Sequence, residues 1–219
     1  MPHIRLAHAL TWPPFAYVAE GKSLGTGVEV ARAVLTRIGY TYTFVPVAFD
    51  EQMATVLAGH ADGMLPFGRN LEREKLFDFS EPLIHSGGAL YVRAPAPTPQ
   101  GLAEMAGKTV VSPKTGPLVA YIRNSYSAVT VVPAADYEES LKLLVEGKAD
   151  AAALNDVVGG ALAARLYPGK VTPAARRFLE IPLCIAVAKG KCQAFIDDFD
   201  CGLAELRADG GWEELNKGA

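Results

Sequence analysis

Val45-Pro46-Val47-Ala48-Phe49-Asp50-Glu51 runs through a helical stretch to Gly59-His60-Ala61-Asp62 and on into Gly63-Met64-Leu65. Further along, Val132-Pro133-Ala134-Ala135-Asp136-Tyr137-Glu138-Glu139 runs through another to Gly147-Lys148-Ala149-Asp150 and on into Ala151-Ala152-Ala153-Leu154. The aromatic residue, Phe49 or Tyr137, stands the same distance before the Asp of Gly-x-Ala-Asp in both copies. Each copy reads as strand, turn, helix, glycine stop and strand. The repetition predicts two similar α/β lobes with a cleft between them, and clefts are where small molecules bind.

Composition narrows the function. The 219 residues make one large domain or two small ones, and half of them are hydrophobic, as in a globular protein with a packed core. A formal net charge of −3 argues against a nucleic-acid binder, which carries a basic face. No apolar run approaches the ~20 residues of a membrane-spanning helix. Met1-Pro2-His3-Ile4-Arg5 leads straight into a strand without a signal-peptide pattern, which fits either a cytoplasmic protein or the mature segment of an exported one. Cys184, Cys192 and Cys201 cannot all pair within one molecule. Cys192 and Cys201 are expected on one helix, ~13 Å apart at ~1.5 Å per residue, too far for a disulfide. With no Cys-x-x-Cys, a zinc site is not indicated, and the three are expected to be small buried hydrophobes.

Outward from the repeats, Ile4–Ala9 reads as a strand and Trp12-Pro13-Pro14-Phe15 as a loop, since consecutive prolines end strands and do not sit inside helices. Val28–Ile38 has helical apolar spacing and stops at Gly39; Tyr40–Val47 alternates as a strand, and Asp50 is placed to cap the helix that ends at Gly59. Gly88–Val92 and Thr109–Ser112 read as strands, and Pro95–Pro99 as the most linker-like stretch. Asp156–Leu166 reads as a helix, Pro182–Val187 as a strand and Phe195–Leu206 as a helix. Strands alternating with helices predict mainly parallel sheets flanked by helices. The C-terminal strand and helix lie beyond the second repeat and are expected to return to the first lobe.

The motifs also run in a known order: Ile4-Arg5-Leu6, Trp12–Phe15, Gly27–Ala31, Phe49-Asp50, Gly59–Asp62, Arg73, Phe79-Ser80-Glu81-Pro82, Gly107-Lys108-Thr109-Val110, Gly147–Asp150 and Leu203–Gly210. Over essentially the whole chain this resembles the family 3 solute-binding proteins of bacterial ABC transporters, the polar amino-acid binders. The resemblance implies a two-lobe α/β fold, the type II periplasmic-binding fold, with lobe one at 1–88 plus 184–219 and lobe two at 89–183. It implies a monomer in the periplasm that closes by a hinge on a small carboxylate-bearing ligand and delivers it to a membrane-embedded ABC permease. Neither cofactor nor metal is implied, and nucleic acid is not a partner.

Arg73 is the first candidate contact. Its planar fork suits a carboxylate held bidentately, although Glu72-Arg73-Glu74-Lys75 taken locally is a solvated turn. The resemblance places it at the family's carboxylate-binding Arg, six residues before Phe79. Trp12 and Phe49 follow strands, the position of α/β ligand sites, and match the family's stacking aromatics; core packing is the commoner fate of such residues. Pro66, Phe67 and Gly68 stand where the family usually has Ser or Thr and Gly, and Pro66 has no N–H to donate, so this wall of the pocket is expected to be less polar. Ala9 stands where the family often has Asp, with only His8 near, which argues against lysine, arginine or ornithine as ligand. In lobe two, Thr115 and Gly116 approximate the family's anion-binding turn before a helix, beside Lys114. The family's ammonium-binding Asp falls at Asn155 or Asp156, and either could instead be a helix N-cap.

No catalytic set is evident. Some relatives are dehydratases of cyclohexadienyl substrates, whose general acid lies just after the lobe-two Asp; here that stretch is Val157-Val158-Gly159-Gly160. The same fold also serves as the extracellular sensor of some histidine kinases, a third reading alongside transport and catalysis.

Overall fold

Two aspartates close the two repeats in one way. In the computed structural model, which describes residues 1–114 and 116–216, the Asp62 carboxylate accepts the Arg5 backbone N–H at 2.8 Å, and the Asp62 N–H donates to the Arg5 carbonyl at 2.8 Å. Asp150 does the same with Thr109, accepting its N–H at 2.8 Å and donating to its carbonyl at 2.9 Å. Gly59 and Gly147, at φ 76° and 77°, provide the left-handed residue that ends the preceding helix. Ala61 and Ala149 are buried between. The repeated Gly-x-Ala-Asp thus stops a helix and pins the next strand to the parallel strand beside it, which carries Arg5 or Thr109.

In chain order the elements are β1 (His3–Ala9), β2 (Thr11–Trp12), β3 (Ala16–Ala19), β4 (Lys22–Leu24), α1 (Thr26–Arg37), β5 (Thr41–Val47), α2 (Gln52–Leu57), β6 (Gly63–Gly68), β7 (Phe77–Phe79) and β8 (Ile84–Arg93). There follow β9 (Thr109–Pro113), α3 (Leu118–Ser125), β10 (Thr130–Ala134), α4 (Tyr137–Val145), β11 (Ala151–Asn155), α5 (Asp156–Leu166), β12 (Val171–Ala188), α6 (Gln193–Ala208) and α7 (Gly211–Asn216). The chain divides into two units, Met1–His85 with Ile181–Ala219, and Ser86–Glu180. It passes from one to the other within β8 and again within β12.

In unit 1 the strand order is β5-β1-β6-β12. β1 runs parallel to both neighbours, β12 runs antiparallel to β6, and β7 also pairs with β12. Ile4, Leu6, Ala7 and Ala9 of β1 are buried, as expected of a central strand covered on both faces. β5 is the edge strand and tolerates Pro46. α1 buries Val28, Val30, Ala31, Val34 and Leu35. Its entry turn requires Gly25, at φ 116°, because a Cβ there would lie 2.5 Å from the Phe15 carbonyl oxygen. α6 packs on α1 at Gly202, where a Cβ would meet Ile38 Cγ2 at 2.5 Å, and Tyr40 donates to Asp198 at 2.8 Å. The end of β12 and α6 belong to unit 1.

Unit 2 repeats the plan as β10-β9-β11-β8, with β9 parallel to β10 and β11, and β8 antiparallel to β11. Its core includes Tyr91, Val111, Leu141, Leu144, Ala152 and Leu154.

Several local expectations need correcting. Asp50 does not cap the first repeat's helix; it lies inside a short 3₁₀ turn, Phe49–Glu51, and the Glu51 carboxylate instead reaches back to the Ala48 N–H at 3.3 Å. Asp136 of the second copy does cap, accepting the Glu139 N–H at 2.8 Å. Pro95–Pro99 is no link between the units, since both its neighbours, β8's end and β9, belong to unit 2. Cys184 is buried, but Cys192 and Cys201 are exposed, and Cys192 precedes α6 in a left-handed conformation rather than lying within it.

Candidate functional site

In unit 1, β5, β1 and β6 are parallel, so their C-terminal ends share one edge of the sheet. Trp12 follows β1, Phe49 follows β5, and Gly68 ends β6 just ahead of Arg73. That edge is where open α/β sheets hold ligands. The Trp12 and Phe49 rings meet edge to face with centroids 5.1 Å apart, and Trp12 rests in the same way on the buried Phe15 at 5.0 Å. Phe49 keeps 49 % of its surface exposed, unusual for a large aromatic residue with no polar handle.

Arg73 opens a 3₁₀ turn, Arg73–Lys75, whose first N–H is held by the Asn70 side-chain oxygen at 2.9 Å. Its guanidinium Nη1 donates to the Gly68 carbonyl at 2.6 Å. The guanidinium carbon lies 4.0 Å from the Phe67 ring centroid. Burial lowers the Arg73 pKa, and no carboxylate among the described residues pairs with it. Its neighbours differ: Arg69 pairs with Glu74 at 2.5 Å and Lys75 with Glu72 at 2.7 Å. A partly desolvated guanidinium whose acceptor among the described residues is one carbonyl has several N–H donors left for an anion.

Gly68 makes room for it, since a Cβ there would approach Arg73 Nη1 to 3.1 Å and Ile181 Cγ2 to 3.2 Å. Pro66 and Phe67 are buried, so they support the site from below rather than face a solute. Pro66 packs on α1, where a Cβ on Gly27 would lie 2.8 Å from its Cγ. Phe67 joins the core with Met64, Phe77 and Ala186 and gives its upper face to Arg73. The less polar wall expected from these residues is a packed floor. His8 is fully buried, and its Nδ1 must donate to the Ala9 carbonyl at 2.8 Å. Nε2 then accepts the Ser23 hydroxyl at 2.7 Å. Desolvation lowers the His8 pKa, outweighing the hydrogen bond to Ala9, and keeps the ring neutral.

In unit 2, β9 and β11 are parallel, and α5 starts directly at the end of β11. Asn155 is the N-cap: its side-chain oxygen accepts the Val157 and Val158 N–H groups, both at 3.1 Å, and its amide donates to Ser86 Oγ at 2.5 Å. Asp156 Oδ1 accepts from the Ser86 hydroxyl at 3.2 Å and from the Gly87 N–H at 3.0 Å. Its Oδ2 takes Arg177 Nε at 2.5 Å, and Arg177 reaches Glu180 at 3.2 Å. Tyr91 donates to the Asp156 carbonyl at 2.7 Å, and burial pushes its phenol pKa up. Asp156 and Arg177 line a depression of about 600 Å³ with Ala89, Tyr91, Gly160 and Pro173. Gly116 is exposed at φ 100° with open space around it, ahead of α3. Thr115 lies outside the described residues.

Sequence reasoning missed Arg177 and Ser86, which engage Asp156 from far along the chain and leave no local signal. Asn70 was missed as well, although an Asn three residues before a turn is a local signal for a side-chain acceptor of its N–H. Among the described residues no group of three His, Cys, Asp or Glu is placed to hold a metal ion, and no helix is long and apolar enough to cross a membrane.

The edge of the unit 1 sheet thus joins an aromatic pair to a half-buried arginine that no carboxylate pairs with among the described residues. The sequence profile of the bacterial extracellular solute-binding proteins, family 3, matches residues 4–218, and the chain belongs to that family. The fold class expected from the sequence is the one observed. The virulence sensor protein BvgS of Bordetella bronchiseptica (strain ATCC BAA-588 / NCTC 13252 / RB50) is 22% identical over 197 residues, covering 88% of this chain. The chain spans only 16% of that protein's length. A histidine kinase sensor domain with similarity to periplasmic binding proteins is similar at 25% identity and TM-score 0.77, covering 97% of this chain and 93% of that one. The second substrate-binding domain of a putative amino acid ABC transporter from Streptococcus pneumoniae Canada MDR_19A is similar at 22% identity and TM-score 0.79, covering 97% of each chain.

Proposed function

We propose that this chain is a non-catalytic binding protein, acting outside the cytoplasm, that takes up a small carboxylate-bearing solute, an amino acid or a related organic acid. The observation that carries the reading is Arg73, half-buried against Phe67 with no carboxylate paired to it among the described residues. An unpaired buried charge is costly, and an incoming carboxylate completes it with charge-assisted hydrogen bonds. Trp12 and Phe49 offer ring surface for the rest of the solute. A thermal-shift screen over amino acids and organic acids tests this, because a solute bound only by the folded state raises the melting temperature. Calorimetry on Arg73→Ala then decides: the affinity of the hit is lost if Arg73 is the anchor, and retained affinity sinks the reading.

Delivery to a membrane-embedded ABC permease by the monomer is the cellular role we assign to that binding. A sensory role is the second reading, favoured by the similarity to BvgS and to a histidine kinase sensor domain. Cellular uptake of the identified solute separates them: deleting the gene abolishes uptake under the first and leaves it unchanged under the second.

A further inference from the structure

We infer that the solute anchored by Arg73 is a small monocarboxylate with an apolar or aromatic body and no ammonium group. This rests on the reading of Arg73 as the carboxylate anchor and narrows the class of solute it takes.

Among the described residues, Arg73 is the cation at the C-terminal edge of the unit 1 sheet that no carboxylate pairs with. Arg69 is matched by Glu74 and Lys75 by Glu72, while Glu51 accepts the Ala48 N–H. Arg73 remains, and one carboxylate neutralises it. Asp50 and Glu51 are acidic side chains of this edge outside those ion pairs among the described residues, and both are exposed to water, where an ion pair contributes little. A zwitterion would bring an ammonium with three N–H donors and a charge that needs a counter-charge once water is removed. Trp12 and Phe49 attract a cation only weakly at an exposed site, and neither ring is a conventional hydrogen-bond acceptor. His8, close to the end of β1, has both ring nitrogens engaged by Ala9 and Ser23.

Within unit 2, the carboxylate expected to meet an ammonium is also engaged. Asp156 uses one oxygen for Ser86 and Gly87 and the other for Arg177. An ammonium would have to displace a guanidinium already seated at hydrogen-bonding distance. Asn155 beside it is uncharged and caps α5. What the unit 1 edge does offer is apolar surface: Leu10 at 42 %, Phe49 at 49 % and Leu71 at 80 % exposure. A hydrocarbon or aromatic body covers such surface favourably.

Calorimetry with matched pairs tests the inference. Each pair is an amino acid and its deaminated acid: L-phenylalanine with 3-phenylpropanoate, and L-leucine with 4-methylpentanoate. The expected result is that the deaminated member binds at least tenfold more tightly, and that Arg73→Ala and Arg73→Met both abolish its binding. A smaller preference, or a preference for the amino acid, with binding still lost in the Arg73 variants, overturns the inference and leaves the anchor standing. Binding that survives in either variant, or none by any member of a broad monocarboxylate panel, overturns the anchor and this inference with it.

Discussion

The central carbon of the Arg73 guanidinium lies 4.0 Å from the Phe67 ring centroid. The ring is part of the unit 1 core, so the cation stands on the best-packed part of the site. Arg73→Met keeps the length of the side chain and removes an unpaired, desolvated charge at the cost of one hydrogen bond to Gly68. These effects oppose each other, so unliganded stability should change by less than about 1 kcal/mol. Ligand affinity should fall by about two orders of magnitude. Melting curves with and without ligand check both, and a large loss of stability in the unliganded variant would mean that Arg73 is a structural residue.

Gly68→Ala probes the same contact from beside it. The new Cβ would press on Arg73 Nη1 and Ile181 Cγ2. A displaced guanidinium should weaken binding by about tenfold, or about 1.4 kcal/mol. Calorimetry against the parent protein reads this directly; equal affinity would show that the arginine accommodates the methyl group.

Asp62 and Arg5 give the fold a pH dependence. The Arg5 side-chain hydrogen bond, then the Arg5 backbone N–H and charge, hold the Asp62 carboxyl below its usual pKa against the opposing effect of burial. A depressed carboxylate contributes stability above its unfolded pKa of about 3.9 and loses it as pH falls through the lower folded value. The pair is partly exposed, so its charge contribution is at most about 1 kcal/mol. Asp62→Asn should therefore melt lower than the parent at neutral pH, and the gap should shrink as pH falls below the unfolded value of about 3.9. A gap independent of pH would assign the effect to the backbone hydrogen bond alone.

The cysteines should separate by reactivity. Burial pushes the Cys184 thiol up to about 12, so at neutral pH it is both protonated and inaccessible. Cys192 and Cys201 are exposed. A thiol reagent should label these two in the native protein and the third only on unfolding. Labelling of all three under native conditions would show that β12 opens.

Gly87 and Gly88 are tight points in unit 2. A Cβ on Gly87 would fall within 2.1 Å of the Leu179 carbonyl oxygen, and one on Gly88 within 2.6 Å of the Phe178 ring. Gly88→Ala should cost more than about 2 kcal/mol, since the overlap is with a ring held between neighbours and cannot be relieved by one rotamer. Chemical denaturation measures it; a change below about 0.5 kcal/mol would mean that the segment yields without strain.

The chain's repetition, the helix and strand periods and the Gly-x-Ala-Asp stops were all readable because they act over a few residues. Backbone geometry, capping and alternation are local, so a strand at Ile4–Ala9 and a helix from Asp156 to Leu166 follow from neighbours in sequence. Trp12 and Phe49 were legible as candidates because they follow strands, and Arg73 because it stands six residues before Phe79 in the motif order of the family the sequence resembles. Tertiary structure alone decided what those side chains do. Phe67 reads as pocket lining but is floor, because β6 is covered on both faces. Asp156 reads as an ammonium partner or a helix N-cap and is instead held by Arg177, which β12 brings to it across 21 positions of chain. Charge pairing and burial depend on which distant segments meet, and that meeting is set by the packing of whole sheets rather than by any one stretch of sequence.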